Sequence, residues 1–133
     1  MLYVSEHKAL VDQMLMHYGL PVESLEIVPS VHKWCDDHSI EEKNPSRIAK
    51  CLCRRSDGAC HIVICNEITE SMISLAKSGM ECHGFRSEVA LLDSNIKFLV
   101  HTMLHEIACH VLKSTDQGSR DRWAFDEMHK HIV

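Results

Sequence analysis

Between Ser94 and Lys113 apolar residues return with the period of an α-helix: Ile96, Val100, Met103, Leu104, Ile107 and Val111 fall on one stripe. Ser94 has the side chain of an N-cap, so the spacing predicts one long helix over 94–113. A helix with such a face must bury it against a second layer, and the rest of the chain supplies both strand-like and helix-like segments. The expected fold class is therefore α+β, a small antiparallel sheet packed against helices with the 101–113 stretch bordering a cleft. Single-domain organisation over 1–133 follows from the length, since a chain of 133 residues fills one core.

The other segments fit that scheme. Ser5 to Tyr18 repeats Leu10, Met14, Leu15 and Tyr18 and stops at Gly19 and Pro21, a helix with a glycine-then-proline ending. Val22 to Val28 reads as a strand, and Ser30 to His38 as a short helix or loop. Arg47 to Arg54 and Ala59 to Asn66 flank Asp57-Gly58, a turn dipeptide, and predict an antiparallel hairpin. Thr69 can cap a helix from Glu70 to Ser78 that Gly79 ends, and Arg120 to His131 reads as a final helix with Trp123, Phe125 and Met128 as anchors.

Charge and cysteine usage narrow the function classes. Nineteen acidic residues against 14 basic ones give a net charge of -5, with no basic cluster longer than Arg54-Arg55, so the footprint of a nucleic-acid binder is missing. No apolar run reaches the roughly 18 residues of a membrane span, and the first residues lack the pattern of a signal peptide, so a cytoplasmic protein is expected. Seven cysteines, an odd number set mostly in apolar runs, suit reduced thiols. Cys51-x-Cys53 and Cys60, Cys65 on the partner strand fit no zinc-ribbon spacing and read as buried strand residues.

The chemistry lies in His101-Thr-Met-Leu-His105-Glu106-Ile-Ala-Cys109-His110. His101, His105 and Cys109 stand four residues apart, on a stripe rotated away from the apolar one and expected to face away from the core. Ligands at i and i+4 can grip one tetrahedral ion, so His105 with Cys109 and His101 with His105 are both candidate zinc pairs. His101 equally fits a solvated helix histidine, and His110, rotated back toward the apolar edge, fits a structural one. Cys109 beside His105 and His110 also admits thiol chemistry.

The string Leu104-His105-Glu106-Ile107-Ala108-Cys109-His110 resembles the active helix of zincin metallopeptidases, in particular the minimal ImmA/IrrE-like zincin domains, where His-Glu-x-x-His binds zinc. The similarity extends loosely over Ala59 to His131, through the strand His61 to Cys65 and the segment Asp121-Arg122-Trp123-Ala124-Phe125. The resemblance implies a zincin-like fold and a zinc-dependent hydrolase with His105 and Cys109 as ligands, Glu106 as general base, and a peptide or protein as substrate or partner. A catalytically lapsed zincin-like binding or regulatory protein is the alternative. Two positions depart from the family pattern: Cys109 replaces the second histidine, and Ser119 falls where the third-ligand Glu belongs. Asp121, Asp126, Glu127 and His129 are the residues able to supply that ligand.

Overall fold

The computed structural model of the chain describes residues 1–54 and 56–132. Its elements run β1 (Leu2–Tyr3), α1 (Lys8–His17), β2 (Leu25–Val28), α2 (Val31–Asp37), β3 (Ala49–Cys53), β4 (Cys60–Cys65), β5 (Glu67–Ile68), α3 (Glu70–Cys82), α4 (Arg86–Val89), α5 (Asn95–Leu112) and α6 (Gln117–Glu127). Short 3-10 segments at Val4–His7, Val22–Ser24 and Met128–Lys130 lead into or follow them. The fold is α+β, as expected from the sequence.

The main sheet has strand order β2-β4-β3. The hairpin forms as predicted, β3 and β4 pairing antiparallel with Cys53 opposite Cys60 and Cys51 opposite Ile62. Gly58 occupies the positive-φ position at +71°, and Arg54 N–H donates to Ala59 O at 2.8 Å to close the loop. The expectation of a purely antiparallel sheet needs one correction, because β2 joins β4 in parallel register with Leu25 opposite Ile62. A parallel partner requires a crossover connection, which α2 and the stretch after it supply. A separate two-stranded ribbon pairs Leu2 with Ile68 antiparallel.

Strand β4 is apolar on both faces because both are covered. Ile62 and Ile64 point into the main core, while Val63 and Cys65 point to the opposite side and pack with Val31 and Cys35 of α2. The main core is filled by α5, which contributes Phe98, Leu99, Val100, Met103, Leu104 and Ile107, and by Val11, Met14 and Leu15 of α1. Helix α6 closes α5 from outside with Ala124 and Phe125. The Tyr18 hydroxyl donates to Glu127 Oε2 at 2.6 Å and so ties the end of α1 to the end of α6.

Several boundaries move relative to the sequence expectations. Ser94 caps α5 through Lys97 N–H at 3.2 Å, as anticipated. Helix α3 runs through Gly79 to Cys82, and the break comes at Gly84, whose φ is +95°. Helix α6 begins earlier than expected, because Asp116 accepts from Ser119 N–H and caps it. The stripe of α5 is also revised: Ile96 and Val111 are 37% and 41% exposed, whereas His101 is 1% exposed and Cys109 8%. The His101–His105–Cys109 face therefore does not look into solvent, since α6 and the sheet cover it. Among the described residues, no helix is long and apolar enough to cross a membrane.

This revision makes a direct prediction. Leu104→Ala, at a fully buried position, lowers the unfolding free energy by about 2–5 kcal/mol. Val111→Ala at its exposed position changes it by less than about 0.5 kcal/mol. Urea titrations of both variants check the pair, and equal losses would contradict the placement of the stripe.

Candidate metal centre

Alternation along β3 puts Cys51 and Cys53 on one face of the sheet, and the register Cys53–Cys60 adds a third thiol to that face. Helix α5 packs against the same face and carries Cys109 into the group. The Cys53 sulfur lies 3.0 Å from that of Cys60 and 3.1 Å from that of Cys109. All four sulfurs lie within 4.8 Å of one another, close enough to hold one metal ion. Sulfurs on a tetrahedral zinc, each about 2.3 Å from the ion, stand about 3.8 Å apart, a spacing inside this spread. All seven cysteines are free thiols. Cys60 and Cys109 are buried while Cys53 is exposed, which gives the group a route to solvent.

The donor set suits a cation. Burial, reinforced by the neighbouring Cys109, pushes the Cys51 thiol up. Burial and the Cys53 hydrogen bond push Cys60 up to about 12, and Cys109 is raised chiefly by burial. Burial opposes ionisation of Cys53 as well, but hydrogen bonds from Cys60, Cys109 and Cys51 outweigh it and lower that thiol. Metal binding takes the thiolate form, so an ion at this group would displace the protons that burial favours on Cys51, Cys60 and Cys109.

Cys51, Cys53 and Cys60 do lie on the paired strands, as expected, and the fold adds Cys109 to bring four thiols within reach of one ion. Cys65 stays apart, its thiol directed to Pro29 O and Glu67 O. Spacing rules for zinc ribbons missed the group because one thiol comes from a distant helix. The available signal was the i, i+2 thiols facing a third across the predicted hairpin.

The other predicted residues lie around the helix from this cluster. His105 Nδ1 stands 2.7 Å from Asp121 Oδ1, and its Nε2 stands 2.7 Å from Gln117 Oε1. His101 Nε2 lies 3.6 Å from the same Asp121 oxygen, and neither of its ring nitrogens has a hydrogen-bond partner. Burial pulls the His101 pKa down to about 4, with Asp121 opposing the shift and His105 adding to it. The structure brings His101 and His105 together with Asp121, and it turns Cys109 toward the other thiols. His110 is half-buried, with its Nδ1 also unpartnered.

Glu106 is buried and accepts from Arg120 Nη2 at 3.1 Å, while Arg120 Nε donates to the carbonyl of His105 at 3.0 Å. Glu106 borders a cleft of about 550 Å³ between α3, α5, the start of α6 and the approach to β3. Its floor carries His101, His105, Glu106, Gln117 and Asp121, and its apolar wall carries Met72, Leu75 and Met80. No protein-family model, curated protein or solved structure matches this chain.

Removing one partner of the buried Glu106–Arg120 pair strands a charge. Arg120→Ala is expected to cost about 3–5 kcal/mol, and the double change Arg120→Met with Glu106→Leu to recover most of it. Chemical denaturation of the two variants measures this. A double variant no more stable than Arg120→Ala would show that the pair is not what holds α6 to α5.

Proposed function

We propose that the protein is a zinc protein in which Cys51, Cys53, Cys60 and Cys109 hold one ion in a closed structural site. The observation that carries this is the convergence of three hairpin thiols and one helix thiol within tetrahedral reach. Four sulfur donors select zinc or iron among common metals, and zinc needs no redox partner. A tetrathiolate leaves no open position for water, so its work is to fasten the β3–β4 hairpin to α5. On this reading Cys109 serves that ion and is not shared with His105.

A second reading concerns the cleft. His105 and Glu106, which carry the zincin resemblance, line one concave surface there together with His101, which the four-residue spacing adds. That supports a zincin-like, metallopeptidase-type activity on a peptide or protein in the cleft, separate from the thiolate ion. The Glu106 carboxylate is engaged by Arg120, so service as general base requires that contact to loosen. The lapsed alternative keeps the cleft as a docking surface without chemistry.

Cobalt substitution tests the first reading. Thiolate-to-cobalt charge-transfer absorption is expected to saturate at one ion per chain, to be displaced by zinc, and to vanish in Cys53→Ser/Cys60→Ser while surviving His105→Ala. Stripping the metal should lower the melting temperature, because an ion bound only by the folded state stabilises it. No thiolate absorption in the reduced parent protein would sink the proposal.

A further inference from the structure

We propose that Cys53 is a modification site for hydroperoxides, with Cys60 as its resolving partner, and that the disulfide they form expels the ion from the thiol cluster. The expulsion rests on the tetrathiolate reading, whereas the bridge needs only the two sulfurs. Three features carry the proposal. One sulfur of the cluster reaches solvent, a second lies against it, and the strand register holds their backbones at the separation a disulfide spans.

Exposure singles out Cys53. Cys60 and Cys109 are buried and Cys51 is half-buried, while Cys53 is exposed at the end of β3. A dissolved oxidant therefore meets that sulfur first, since oxidation follows access as well as thiol chemistry. Cys82, another exposed thiol, lies on α3 outside the cluster.

The partner follows from the ladder. Cys53 stands opposite Cys60 across β3 and β4. Arg54 N–H donates to Ala59 O at 2.8 Å, and at the other end Cys65 N–H donates to Ile48 O at 2.8 Å. Hydrogen-bonded and non-hydrogen-bonded pairs alternate along an antiparallel ladder. Cys53–Cys60 lies an odd number of steps from both of these bonded pairs, so it is a non-hydrogen-bonded one. Such pairs place their Cα atoms about 4.5 Å apart, inside the roughly 4.4–6.8 Å that a disulfide requires. The sulfurs are 3.0 Å apart, so the bond closes by side-chain rotation with the strands left in register. Cys51, two residues along the same strand, lies about 6.7 Å away at the limit of that range. Cys109 comes within 3.1 Å but from α5, where no ladder fixes the backbone spacing.

The chemistry balances on two electrons. The Cys53 sulfur attacks one peroxide oxygen; an S–O bond forms, the O–O bond breaks, and the other oxygen leaves with a proton as water or an alcohol. The Cys60 sulfur then attacks the sulfenic sulfur; an S–S bond forms, the S–O bond breaks, and the hydroxide leaves with a proton as water. The two protons come from the thiols or, where an ion holds them as thiolates, from solvent. Each sulfur gives up one electron and the hydroperoxide takes both. The ion keeps only Cys51 and Cys109, half of a tetrahedral set, and departs. Because the new bridge lies within the hairpin, the link from β3–β4 to α5 is undone while the hairpin itself is fastened.

Hydrogen peroxide is the probe. Added in slight excess to the reduced, zinc-loaded parent chain, it is expected to release one zinc per chain to a chromogenic chelator and to lower the free-thiol count by two. Peptide mass mapping should join Cys53 to Cys60, and dithiothreitol with zinc should restore the starting state. Cys60→Ser is expected to stop at the Cys53 sulfenic acid, captured by dimedone, and Cys53→Ser to give neither adduct nor bridge. A bridge from Cys53 to Cys109 or Cys51, or an unmodified Cys53, overturns the inference, and mapping of the unmutated protein decides this even if the variants unfold. The metal-stripped parent chain keeps the two readings apart. Zinc that binds and stays through oxidation overturns this inference and leaves the tetrathiolate standing, whereas a chain that never binds zinc yet forms the Cys53–Cys60 bridge removes the tetrathiolate and leaves the modification site.

Discussion

The burial of α5 on nearly every side is the constraint from which the rest of the structure follows. Phe98, Leu99, Val100, Met103, Leu104 and Ile107 fill the main core, and His101, Glu106 and Cys109 are buried with them. A helix held this way cannot roll to suit one site. The three residues His101, His105 and Cys109 drift about 40° around the axis at each step of four. Over two steps the drift reaches about 80°, which sets His101 against Phe125 and Asp121 while Cys109 meets the β3–β4 hairpin. What looks in the sequence like one stripe of ligands is divided between two neighbourhoods by the packing.

The same packing decides the role of Glu106. In a solvated helix it would be a free carboxylate beside His105. Here the Arg120 side chain comes in from α6, bonds the carboxylate and also donates to the His105 carbonyl. Two charges withdrawn from water in this way hold α6 at one position along α5 as much as they stabilise the protein. That position places Gln117 and Asp121 beside His105, so the ion pair acts on the cleft floor by setting the helix that supplies half of it.

Much of the framework was legible in the residues. The extent of α5, its Ser94 cap and the hairpin around Gly58 rest on local signals, periodicity, a hydroxyl and a turn dipeptide, and these survive folding. The parallel pairing of β2 with β4 was not legible, because pairing sense depends on where α2 carries the chain. Gly79 misled as a helix stop: its place within α3 costs about 1 kcal/mol relative to alanine, a penalty that a packed helix absorbs. The solvent-facing reading of the histidine stripe failed for a related reason. Periodicity identifies one apolar face but is silent on a second layer, here α6, that covers the polar one.

The thiol cluster shows the limit most clearly. Cys51 and Cys53 carry the signature of any buried strand, and only the register that sets Cys60 beside Cys53 makes them a set. The fourth donor comes from the far end of α5, where the sequence invited pairing with His105. Chemistry favours the division that the fold makes. Burial raises the Cys51, Cys60 and Cys109 thiols while hydrogen bonds from all three lower Cys53, so a divalent ion would find one favoured thiolate with three further sulfurs around it. Nitrogen and oxygen donors gather instead on the cleft side, where His105 meets Asp121 and Gln117. One helix thus divides its polar residues between the thiol cluster and the cleft, because its different flanks contact different elements.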